Sequence, residues 1–201
     1  MGRVAGKKSV KRLKTVVFSL AAAVVLAGAG LTVIHAAGGR SAEASASGSD
    51  LMSAEFTVNS SEQNSALLYK NRVSDIDDTA GIVRLLDAMN FENAAGKYTV
   101  KIYEKDGIDV MSFNITDAVG EADGKLFDRN MGIFAQQLMA LIEDIEKVEW
   151  NYPVDSTGSP EESATGSLTA DEASDEVGED IHSFGTSAAQ LHRLLLIQAE
   201  T

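Results

Sequence analysis

Apolar and polar positions alternate most cleanly across Tyr98–Lys105 and Ile108–Ile115, two runs separated only by Asp106-Gly107. Alternation predicts strands, because successive side chains of a strand point to opposite faces. Asp-Gly is a favoured pair for a type I′ turn, whose central residues both need φ > 0. A two-residue turn there sets Ile102 opposite Met111, Val100 opposite Phe113 and Tyr98 opposite Ile115 on one face. Lys101 then opposes Ser112 and Thr99 opposes Asn114 on the other. A slip of one residue would scramble both faces, so pattern and turn chemistry specify the same hairpin.

Helical spacing appears on either side. Ile82, Val83, Leu86 and Met89 share a face of a helix capped by Asp77 or Asp78 and closed by Asn93–Gly96. Met131, Phe134, Ala135, Leu138, Ile142 and Ile145 make the stripe of a second helix, from about Asp128 to Ile145. Val148, Trp150 and Tyr152 alternate with Glu149 and Asn151 as in a strand, which Pro153 ends. Asp155–Ser167 reads as a polar loop. Thr169 with Glu172, and Ser187 with Gln190, have capping-box spacing; they open a short acidic helix to about Val177 and a final helix carrying Leu191, Leu194 and Leu195. A first strand falls at Phe56–Val58, at Leu67–Tyr69, or at neither. The order predicts an α+β domain over 55–201, an antiparallel sheet around the central hairpin with packed helices; the βαββαβ order of ferredoxin-like domains is its natural candidate. Ile82, Leu86, Val100, Ile102, Met111, Phe113, Phe134, Leu138, Ile142 and Trp150 are its expected core.

Val16–Ile34 is of another kind: 19 residues without a charge. Roughly 20 apolar residues cross a bilayer as a helix. Arg3, Lys7, Lys8, Lys11, Arg12 and Lys14 precede the run, which keeps the N-terminus cytoplasmic. This predicts a basic leader (1–14), a transmembrane signal anchor (15–37), a flexible Gly/Ala/Ser tether (38–54) and an extracytoplasmic domain on a single-pass protein of the cell membrane. A cleaved signal peptide with its site near Ala46 is the competing reading, disfavoured because the apolar run exceeds an ordinary signal h-region.

Charge sharpens the picture. Of 17 basic residues, the six of the leader leave 11 to set against all 30 acidic ones, a net charge of −19 beyond Gly38. Nucleic acid and anionic lipid heads need basic surfaces, so the charge argues against both as partners of that part. The chain has no cysteine, so disulfides and a lipid-modified cysteine are excluded too.

Three stretches carry a family resemblance. The run from Leu138 to Val148, LMALIEDIEKV, is similar to the LFALI-x-N-x-x-x-V helix-to-strand stretch of a small extracytoplasmic domain of unknown function in Gram-positive (Firmicutes) bacteria. The run from Gly178 to Phe184, GEDIHSF, resembles that family's YG-x-D-[IV]-R-x-Y stretch, with Val177 in place of its Tyr, and Leu68-Tyr69-Lys70-Asn71-Arg72 resembles its opening. In that family the domain is attached to membrane metallopeptidases of the β-lactam-sensing antirepressor type, or follows a lone anchor. The HExxH zinc motif is absent here, so the resemblance implies the second layout. After Arg72 the chain has Val73-Ser74-Asp75-Ile76 where the family has a Pro-Tyr-Val-Gly-like turn.

Catalytic sets are missing. His35 falls at the membrane edge; His182 and His192 could meet across a helical hairpin, but no third metal ligand is indicated and the two read as exposed surface histidines. No G-x-S-x-G elbow marks a serine nucleophile. Asp75, Asp77 and Asp78 start like a calcium loop, but the sixth and twelfth positions hold Ala80 and Leu86, so helix capping is the better account. The acidic run Asp171, Glu172, Asp175, Glu176, Glu179 and Asp180 reads as a solvated helix face. Trp150 and Tyr152 read as core residues rather than a sugar platform. The expectation is a non-catalytic, membrane-anchored module that binds a protein partner or cell-envelope ligand, within envelope sensing, with no catalytic, cofactor or metal residues and no cofactor. A cell-envelope hydrolase using paired carboxylates and a structural subunit of a membrane assembly are the alternatives.

Overall fold

In the computed structural model, residues 16–19, 57–155 and 162–201 are described. The leader, the tether and, of the expected anchor, residue 15 and residues 20–37 lie outside them. The sheet has five strands: β2 (Tyr98–Lys105), β3 (Ile108–Ile115), β4 (Val119–Gly120), β5 (Ile145–Asp155) and β6 (Glu162–Thr169). A short segment, β1 (Val16–Ser19), adds antiparallel to the outer edge of β2, Val16 opposite Ile102. The helices are α1 (Glu62–Lys70), α2 (Thr79–Ala88), α3 (Phe91–Ala95), α4 (Gly124–Leu141), α5 (Ala170–Val177) and α6 (Ala188–Glu200). Two 3₁₀ turns, Glu121–Asp123 and Ile181–Thr186, precede α4 and α6.

The hairpin forms in the predicted register, pair for pair from Tyr98–Ile115 to Lys105–Ile108. Asp106 and Gly107 take φ of 54° and 87°, both positive as the turn requires. No atom lies within 4 Å of where a Cβ on Gly107 would sit, so that glycine is kept for its backbone alone. Gly107→Val is expected to cost about 1 kcal/mol or more through φ strain; a thermal melt indistinguishable from the parent's would refute the assignment.

The domain is α+β, but not in ferredoxin-like order. Apart from β1, no strand precedes α2 among the described residues: Leu67–Tyr69 lies within α1, and residues 57–60 are not in a strand, although Val58 is buried; Phe56 lies outside the described residues. The sheet is mixed rather than antiparallel, because β3 runs parallel to its neighbour β5 across α4, an unsplit βαβ unit. β4 continues along β5, pairing Val119 with Val154. β5 crosses Pro153 without ending, because Pro153 falls between the last β3 pair, at Asn151, and the first β4 pair, at Val154. No N–H is wanted there. The expected polar loop contains β6, whose core-facing residues include Ala164 and Gly166, too small to register as apolar alternation.

Helix α4 stops at Leu141, short of the predicted Ile145. Ile142 is already extended and Asp144 turns through a φ of 74°. Val73 holds this corner: its N–H donates to the Leu141 carbonyl and its carbonyl accepts from Glu143 N–H. From Ile133 to Leu141 every residue of α4 is buried, since the sheet covers one side and α5, α6 and the Ile181–Thr186 turn cover others. All ten expected core residues are buried, Trp150 being 5% exposed and Ile142 fully covered. The opposite face of the sheet carries Lys101, Ser112, Lys147, Glu149 and Thr165.

Candidate functional site

Two of the concavities that adjoin α4 bear on its chemistry. The smaller, about 400 Å³, opens at its C-terminal end. The three stretches singled out in the sequence meet around it. From the first, Tyr69 donates its hydroxyl to the Thr186 carbonyl at 3.1 Å, and the Arg72 guanidinium lies 4.5 Å from the Tyr69 ring centre. From the third, His182 lies 3.0 Å through Nδ1 from the Met139 carbonyl of the second. A carbonyl only accepts, so Nδ1 carries the proton. Nε2 is buried without a hydrogen-bond partner, 3.8 Å from Glu146 Oε1. Among the described residues His182 makes no hydrogen bond to a hydroxyl.

The larger concavity, about 530 Å³, lies between α4, the C-terminal half of α6 and the β5–β6 pair. Ile133, Leu168, Val177 and Ile197 give it apolar walls, with the edge of Trp150. The Trp150 indole lies across Gly166 of the next strand, and its Nε1–H donates to Asp128 Oδ1 at 2.8 Å. Behind the wall, buried amides form a chain. Gln137 donates to Gln198 at 2.8 Å, Gln198 to Gln136 at 2.7 Å, and Gln136 to Glu176 Oε2 at 2.7 Å. Polar side chains on so buried a helix need such partners, and the chain fixes α6 to α4 while delivering Glu176 to the rim. Arg129 is the third charged group at the rim and has no ion pair among the described residues.

Compared with family models, with curated proteins and with solved structures, the chain gives no match. Its chemistry has to be read from its own residues.

The carboxylates of the sequence divide by task. Asp78 caps α2, accepting from Gly81 N–H at 2.9 Å, and Asp75 accepts from Asp77 N–H. Thr169 and Glu172 form the reciprocal capping box. The Thr169 backbone N–H and hydroxyl hold the Glu172 carboxyl below its usual range. Asp180 caps the 3₁₀ turn, and Glu179 pairs with Arg193 at 2.9 Å. Among the described residues no three carboxylates or imidazoles converge as a metal would require. His182 and His192 are half-buried rather than exposed, and do not bond one another; His35 lies outside the described residues. Trp150 and Tyr152 are core residues. Burial, then the Asp128 charge, pushes the Tyr152 hydroxyl up to about 12. On the open sheet face, burial and then the bond to Glu149 push Tyr103 up to about 12. Glu149 moves down: burial opposes this, but the Tyr103 hydroxyl and Lys147 outweigh it. The carboxyls that shift, Glu149 and Glu172, both move away from the raised pKa of a general acid.

The cavity residues Asp128, Arg129, Gly132 and Ile133 were not legible as a site. The one signal available was Gly132, a glycine inside an otherwise strongly helical run.

Proposed function

We propose that this is a membrane-anchored extracytoplasmic module that binds a small ligand without transforming it. The cavity beside α4 carries the reading. Its volume falls in the range of ligand pockets, and its lining combines apolar walls with a few convergent polar groups. Gly132 supports it further. Glycine inside a helix costs about 1 kcal/mol relative to alanine, yet no neighbour would touch a Cβ at Gly132. Packing therefore does not account for the glycine, which lines the cavity.

The anchored location rests on the uncharged run Val16–Ile34 and its basic leader. Pairing of β1 with β2 and an N-in spanning helix exclude each other, since the span carries Val16–Ser19 to the cytoplasmic side, away from the sheet. Edge pairing uses only those four residues and leaves the rest of the apolar run in need of an apolar surround. A C-terminally tagged full chain is therefore expected in the membrane fraction, with the tag open to protease from outside. A soluble tagged fragment beginning near Ser47 would sink the anchor.

A carboxylate hydrolase has one observation in its favour, the presence of Asp128 and Glu176 at one cavity. Asp128 accepts from the Trp150 indole through Oδ1, and Glu176 accepts from Gln136 through Oε2. The full chain is expected to leave peptidoglycan fragments intact; turnover abolished by Asp128→Asn would establish the hydrolase instead.

A further inference from the structure

The charges at the cavity rim say what kind of ligand fits, if the cavity is a binding site as argued above. Glu176 accepts from Gln136 through Oε2 only, so Oε1 has no hydrogen-bond partner among the described residues. Asp128 is occupied by the Trp150 indole and also feels Tyr152, so it serves the wall more than the ligand. Arg129 brings to the same rim a guanidinium with no ion pair among the described residues. One free carboxylate oxygen and one free cation thus flank a hollow walled by Ile133, Leu168, Val177, Ile197 and the Trp150 edge.

We infer that the cavity takes an apolar zwitterion of the size of a short peptide. Its ammonium group would sit on Glu176, its carboxylate on Arg129, and its aliphatic side chains against the apolar wall. Guanidinium suits a carboxylate because its planar fork can donate twice. An ammonium group on a carboxylate whose other oxygen is already held is a charge-assisted bond with a pre-oriented acceptor. A neutral ligand would leave both rim charges without partners. A cation alone would leave Arg129 opposing it.

The chain contains a single tryptophan, and Trp150 lines the cavity. Its emission therefore reports on occupancy. The test uses the full chain in lipid nanodiscs, titrated with leucyl-leucine and with its N-acetylated, amidated and doubly blocked forms. Saturable change with leucyl-leucine is expected, with affinity weakened roughly tenfold or more by either block. Glu176→Gln, which keeps an acceptor for Gln136, should erase discrimination against the acetylated form. Arg129→Gln should erase discrimination against the amide. Gly132→Leu should abolish binding while leaving the melting temperature unchanged or raised, since a helix-interior glycine is replaced where there is room. Equal binding of the doubly blocked dipeptide would overturn the zwitterion and leave the cavity a binding site. Silence with all four probes would overturn both.

Discussion

Gly185→Ala is expected to destabilise the domain by about 3 kcal/mol or more, a fall of roughly 10 °C in Tm. A Cβ on Gly185 would lie 1.7 Å from the Ala140 carbonyl oxygen and 2.9 Å from its carbon. Those are backbone atoms near the end of α4 and cannot swing aside as a side-chain tip could. The Ile181–Thr186 turn would have to lift off the helix. Lifting it loosens Phe184 and Ile181, both fully buried, and the Tyr69 bond to Thr186. A circular-dichroism melt of the full chain in detergent measures the effect. A shift under about 2 °C would show that the turn is not seated on α4 as described.

The second large effect is expected at Gly166. A Cβ there would lie 2.4 Å from Trp150 Cε2 and Nε1. Trp150 has little freedom to yield, being buried and tied to Asp128. Gly166→Ala should therefore expel the indole from its place, break the bond to Asp128, and cost about 1–3 kcal/mol with a shift in tryptophan emission. The same substitution made in Trp150→Leu should cost far less, because the obstructing ring is gone. Coupling between the two sites above about 1 kcal/mol is the expected result; additive costs would mean that the ring does not rest on the glycine.

The parts of this fold that show in the sequence are those set by local rules. The Asp106-Gly107 turn fixes a register by itself, and the caps at Asp78, Thr169 and Ser187 each need only a side chain and an N–H three residues on. What did not show was set by distant partners. α1 buries little beyond Ser65 and Leu68, so its apolar residues trace no stripe. Ile142 and Ile145 continue the spacing of α4 beyond its end because the strand after the corner faces the same core; nothing in that spacing marks the left-handed turn at Asp144. Gln136 and Gln137 look like a polar helix face until Gln198 is placed beside them. The cavity suffers most, since Asp128, Arg129 and Glu176 each resemble ordinary surface charge and differ only in lying around one hollow.

Helices α1 and α6 pack against each other, and Tyr69 reaches Thr186 across 117 positions. The first helix of the domain is thus completed by the last. A chain emerging from a ribosome or translocation channel can build its hairpin early, but it cannot close until residues near its C-terminus are out. Until then Leu68 and the buried amides of α4 have no cover. The interval during which a protease or chaperone can seize the nascent domain is set by the arrival of α6, so truncations that remove only that helix should yield a degraded chain rather than a smaller stable one.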